Sequence, residues 1–158
     1  MKKGTVAVLS TLIGAIAGAA GSGYLGSKQV EQKAEKVDKF KGYYNMLNQW
    51  LILKQEGKKL SEYFKRNNYK TVAIYGMGEM GNRLYDELKD SDIEVKYAVD
   101  KNAASTYSEL DVIELEDDFD TVDVMVVTAT FAFDEIEEEI SEKVDFPLVS
   151  LEDVVYEI

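Results

Sequence analysis

The stretch Thr71-Val72-Ala73-Ile74-Tyr75-Gly76-Met77-Gly78-Glu79-Met80-Gly81 decides the fold. Thr71–Tyr75 is a short apolar run rich in β-branched residues and reads as a buried strand. It leads straight into G-x-G-x-x-G, and Met80, Leu84 and Leu88 then recur at helical spacing. A lone glycine triplet says little, but after a strand and at the start of a helix it has a mechanism. Gly76 permits the tight turn, Gly78 lets backbone N–H groups approach a pyrophosphate, and Gly81 allows close packing of helix and strand. The first turn of the helix then offers unpaired donors and partial positive charge to the phosphates. Met77, Glu79 and Met80 sit within the same loop. Glu79 complements the helix dipole if it faces outward and repels phosphate if it faces inward.

A second strand, Glu94 to Val99, ends in Asp100, 24 residues after Gly76. A carboxylate there can accept hydrogen bonds from ribose hydroxyls and favours NAD over NADP, while Lys101 softens that preference. The remaining pattern alternates strands and helices. Val112 to Leu115 and Asp123 to Thr128 read as strands. Phe133, Ile136, Ile140 and Val144 mark a helix, and Leu148-Val149 the last strand. Ser150-x-x-Asp153 resembles a capping box for a final helix. Such alternation implies an α/β, Rossmann-like three-layer parallel sheet in the order 3-2-1-4-5. Ligands of such sheets bind at the carboxyl edge, which adds Thr128, Ala129 and Thr130 to the candidate site.

Outward from this core, the 158 residues contain no histidine and no cysteine. That excludes Ser-His-Asp triads, cysteine nucleophiles, thiolate zinc sites and iron–sulfur clusters, and no metal is expected. The net charge of −12 disfavours nucleic acid as a partner. It is unevenly spread. Residues 1–70 carry 13 basic and 5 acidic side chains, whereas 71–158 carry 5 and 25.

The basic part holds an uncharged run from Gly4 to Ser27, flanked by Lys2-Lys3 and Lys28. It is long enough to cross a bilayer, which takes about 20 mainly apolar residues. Residues 1–27 are therefore expected to be a transmembrane signal anchor. A cleaved signal peptide, with Ala17-Gly18-Ala19 at the cleavage point, is one alternative, and a buried globular helix, opposed by the glycines from Gly4 to Gly26, is another. Lys28, Lys33, Lys36, Lys39 and Lys41 follow within the window that stays cytoplasmic, giving a single-pass protein with a cytoplasmic C-terminal domain. Gly14, Gly18, Ser22 and Gly26 fall at every fourth position, a spacing that lets membrane helices pair and points to a homo-oligomer. Residues 28–57 are expected to form an amphipathic helical stalk that pairs with another copy, docks on a membrane partner or packs on its own domain. Gly57 ends it, and the nucleotide-binding domain spans 58–158. Asn67-Asn68 should stop a short helix bearing Leu60, Tyr63 and Phe64.

Ile74-Tyr75-Gly76-Met77-Gly78-Glu79-Met80-Gly81 and Tyr97-Ala98-Val99-Asp100 together resemble a known family. They are similar to the Rossmann-type domain beside the membrane region of capsule-type nucleoside-diphosphate-sugar epimerases/dehydratases, and to stand-alone domains of that kind in bacterial surface-polysaccharide biosynthesis. The resemblance extends more weakly through Asp123–Thr130 and covers roughly residues 58–158. It implies nucleotide contacts at Gly76, Gly78, Gly81 and Asp100, and polysaccharide-synthesis enzymes as partners. In those larger proteins catalysis belongs to a separate domain with a second fingerprint and a Tyr-x-x-x-Lys pair. No such domain lies within these 158 residues, so its activity is not expected here. Tyr85-x-x-x-Lys89 matches the pair only in letters, because it lies on the helix directly after the glycine loop.

Three functions stay open. The first is a membrane-anchored accessory or regulatory module binding NAD(P) or a nucleotide-sugar. The second is a small epimerase or oxidoreductase completed by oligomerisation. It would have to draw an acid/base from Tyr75, Tyr97, Lys101, Thr128 and Asp134, which form no recognisable constellation. The third is a scaffold that keeps the fold without the ligand. Binding is favoured over catalysis.

Overall fold

A computed structural model describes residues 33–34, 36–106 and 108–158. The chain divides into two compact units, Met1–Tyr43 and Tyr44–Ile158. In the first, 33–34 and 36–43 are helical, and Val37 and Phe40 are exposed. The expected membrane segment 4–27, with its small-residue stripe, lies outside the described residues. Among the described residues no helix is long and apolar enough to cross a membrane.

The second unit begins with helix α1 (44–55). Its buried face is Met46, Trp50 and Leu53, spaced four and three residues apart as a helix face requires. Gly57, at φ +77°, ends it, and the N–H of Lys58 donates to the carbonyl of Leu53. This is a glycine C-terminal cap. Helix α2 (Ser61–Arg66) stops in the same manner, with Asn68 at φ 60° and Tyr69 N–H donating to Phe64. Asparagine takes the left-handed position as its sequence context predicts.

Five strands follow, β1 (Thr71–Tyr75), β2 (Glu94–Val99), β3 (Val112–Ile113), β4 (Val124–Val127) and β5 (Leu148–Ser150). They form one all-parallel sheet in the order β3-β2-β1-β4-β5. The third strand is shorter than the run Val112 to Leu115 predicts. Helix α3 (Glu79–Leu88) connects β1 to β2, and α4 (Phe133–Ser141) connects β4 to β5. The two connections run in opposite directions across the sheet, so right-handed crossovers place α3 and α4 on opposite faces. Packing agrees. Ile136 and Ile140 of α4 cluster with Ala73, Tyr75, Tyr97, Val99, Met125 and Val127, which share one face by strand alternation. A last helix, α5 (Leu151–Tyr156), is capped by Ser150, whose hydroxyl oxygen accepts from the N–H of Glu152.

Two carboxylates join distant segments. Asp123 accepts from the N–H groups of Lys70 (2.7 Å) and Thr71 (2.8 Å), fixing β1 beside β4. Glu87, in the last turn of α3 and 4% exposed, accepts from Trp50 Nε1 at 2.6 Å and from Leu60 N–H at 2.9 Å, and faces Lys54 Nζ at 3.0 Å. One buried carboxylate therefore holds α1, the approach to α2, and α3 together.

Candidate functional site

Strand register sets the site. Tyr75 is paired with both Val99 and Val127, so β1, β2 and β4 end level with one another. The residues that follow them, Gly76, Asp100 and Thr128, meet at the carboxyl edge. This is also where the sheet's connections reverse direction, the crevice in which open α/β sheets bind ligands.

Two of the three loop glycines are constrained by the protein itself, and the third is not. Gly76 has φ +93°, and a Cβ there would sit 2.7 Å from Thr128 Oγ1. A Cβ on Gly81 would lie 2.2 Å from the carbonyl oxygen of Gly76. Both positions exclude any other side chain for reasons of packing. Gly78 differs, because a Cβ there would meet nothing within 4 Å and its φ of −69° is ordinary. The missing side chain at Gly78 leaves open space in front of the first turn of α3, which has no side-chain cap.

The loop's own polar groups are held by neighbours that its spacing does not reveal. Asn82 Nδ2 donates to the carbonyls of Met77 and Gly78, each at 2.9 Å. Thr128 is buried, and its hydroxyl donates to the Gly76 carbonyl at 2.7 Å, with the Tyr75 carbonyl at 3.2 Å. Asp100 accepts from Met77 N–H through Oδ2 and from Asn102 N–H through Oδ1, each at 2.8 Å. Carbonyl dipoles are thereby tied down, while the helix N–H groups that begin α3 keep the unpaired state inherent to a helix start. Asp100 serves the loop first. A carboxylate has about four lone-pair sites, so acceptor capacity remains for a ligand.

Beside the loop lies a cleft of about 410 Å³, within the range of small-molecule sites. Of the predicted site residues, Gly76, Asp100, Lys101 and Ala129 line it. Met77 is buried, Met80 half-buried, Gly78 and Glu79 exposed, and Gly81 is buried against Gly76. Thr130 opens the short 3-10 turn Thr130–Ala132 that leads into α4. The other wall was not legible as a site: Phe131, Ala132, Glu135, Ile136 and Glu139 read simply as a helix and its approach. Lys101 Nζ stands 3.7 Å from Glu139, both side chains being well exposed.

The candidate acid/base groups do not converge. Tyr97 donates to the Asp120 carbonyl at 2.6 Å, and burial, with Asp120 assisting, pushes its pKa up to about 12. Thr128 is committed to the loop. Asp134 is exposed in the first turn of α4. Only Tyr75 and Lys101 share the cleft, and burial raises the Tyr75 pKa above its ordinary value. Lys89 of the Tyr85-x-x-x-Lys89 pair is bound to Asp86 at 2.8 Å. Among the described residues no group of His, Cys, Asp or Glu is arranged to hold a metal. Comparison with protein-family models, with curated proteins and with solved structures gives no significant match.

Proposed function

We propose that the chain is a nucleotide-binding module of Rossmann type, binding NAD(P) or a nucleotide-sugar. On this reading it acts as an accessory or regulatory partner in bacterial surface-polysaccharide biosynthesis. Residues 1–27 would anchor it in the membrane with the domain on the cytoplasmic side, and the small-residue stripe would pair it with further copies. One observation carries the binding function. Gly76 and Gly81 are demanded by packing, but a Cβ at Gly78 would meet no described atom within 4 Å. Open space at an uncapped helix start, framed by carbonyls already tied down, fits a pyrophosphate. The wording of the glycine loop supports the pathway. Of the five candidate acid/base groups only Tyr75 and Lys101 share the cleft, which supports binding without turnover.

Thermal unfolding of the full chain with NAD, NADH, NADP or a UDP-sugar tests this. A ligand at 100 times its dissociation constant stabilises by about 2.7 kcal/mol. Gly78→Asp should abolish the shift, and binding that survives it would place the ligand elsewhere. A second reading, a scaffold without ligand, draws on one feature: Asp100 already occupies the Met77 N–H. No stabilisation by any of these compounds would favour it.

A further inference from the structure

Tyr75 ends β1, lines the carboxyl-edge cleft and is 4% exposed, yet its hydroxyl is buried and has no hydrogen-bond partner among the described residues. A buried hydroxyl left unpaired destabilises a fold, so native proteins rarely keep one without use. Phenylalanine would fill the same space without that cost. Burial first, and then the negative charges of Glu139, Asp100 and Glu116, raise the Tyr75 pKa. The group therefore holds its proton at neutral pH and acts as a donor that lacks an acceptor.

The surroundings restrict which acceptor can come. Ala132 and Ile136 supply apolar wall, while Asp100, Glu135 and Glu139 outnumber Lys101. A phosphate at this end would meet net negative charge. A flat, uncharged ring would bury against the apolar wall and bring an acceptor to the hydroxyl. Resting on the nucleotide-binding reading of the glycine loop, we propose that Tyr75 is the residue that recognises the base of the nucleotide. Its O–H donates to a ring nitrogen or carbonyl oxygen seated between β1 and α4. Lys101 and Glu139 line the same cleft and, at 3.7 Å and well exposed, are held together only weakly. The phosphates then lie at Gly78, and the loop and the cleft divide the ligand into a charged and a neutral half.

The test compares the full wild-type chain with Tyr75→Phe by titration calorimetry, using NAD, UDP-glucose and inorganic pyrophosphate as probes. Tyr75→Phe should weaken binding of the preferred base-bearing probe about 3- to 10-fold, the worth of one ordinary hydrogen bond. It should leave pyrophosphate binding unchanged and raise the melting temperature, because the unpaired hydroxyl is gone. NAD preferred over UDP-glucose would identify an adenine or nicotinamide ring as the occupant, and the reverse preference a uracil. Equal binding of the nucleotide by both proteins overturns the role of Tyr75 and leaves the glycine-loop reading standing. Equal weakening of pyrophosphate overturns it too, since the variant would then act through the loop. If the wild-type chain binds none of the three probes, the nucleotide-binding reading falls and this inference falls with it.

Discussion

Glu87 offers the sharpest perturbation of the fold. Its carboxylate is 4% exposed and accepts from Trp50 Nε1 and from the Leu60 N–H. Replacing Glu87 by alanine leaves both donors without an acceptor. Each buried group so stranded costs about 1–3 kcal/mol, and water recovers part of that because both sites are only partly buried. Losing the Lys54 contact adds little, as that side chain is half exposed. The sum is about 3 kcal/mol for Glu87→Ala. Glutamine keeps one acceptor oxygen and so serves one donor, which reduces the expected loss to about 1–2 kcal/mol. Trp50 is the chain's only tryptophan, so fluorescence reports on this junction directly. Urea unfolding of the full chain, followed by fluorescence and by circular dichroism, gives the stability change. A shift under about 0.5 kcal/mol for Glu87→Ala, the range of an ordinary surface substitution, would refute the idea that this carboxylate joins the helices.

The loop glycines predict opposite outcomes. Gly81→Ala drives a Cβ into the Gly76 carbonyl and should destabilise by at least about 1–3 kcal/mol in thermal unfolding. Gly78→Ala meets no neighbour and should leave stability within about 0.5 kcal/mol while weakening nucleotide binding by calorimetry. Thr128→Val removes the hydroxyl that clamps the Gly76 carbonyl, and a loss of about 1 kcal/mol is expected by urea unfolding. The acid limb of stability follows from three depressed carboxyl groups. Lys89 lowers Asp86, Lys65 lowers Asp92, and the N–H groups of Lys70 and Thr71 lower Asp123. Their folded pKa values lie below the unfolded value of 3.8, so their stabilisation is present above that pH and is lost as pH falls through the folded values. A pH series of melting temperatures checks this, and Asp123→Asn should flatten the acid limb. Tyr97 acts in the other direction, its stabilisation being full below pH 10 and lost as pH rises toward about 12.

Local pattern carried a large part of the architecture. Apolar runs located β1, β2 and β4, the alternation of elements gave the strand order, and Gly57 and Asn68 marked helix ends that the structure places in the left-handed region. These features are legible because their cause lies within a few residues. The second wall of the site was not, since Phe131, Ala132 and Ile136 repeat as any amphipathic helix and its approach would. Glu87 could not be recognised either, because its partners lie 27 and 37 residues away in sequence. Asp100 shows a subtler limit. Spacing identified a carboxylate at the end of β2, but only geometry reveals that it holds Met77 N–H before any ligand does. Asn82 and Thr128 illustrate the same point, for neither residue type nor position announces which carbonyl a side chain will reach.

The two margins of the sheet, β3 and β5, are only two and three residues long. A free strand margin is a template on which a neighbouring molecule can add its own strand, and length sets how many rungs such an addition can form. Two or three rungs make a poor nucleus. The apolar strands β1 and β4 lie in the interior of the sheet, away from these margins. Each margin of the sheet therefore offers a neighbouring molecule no more than two or three rungs on which to extend it.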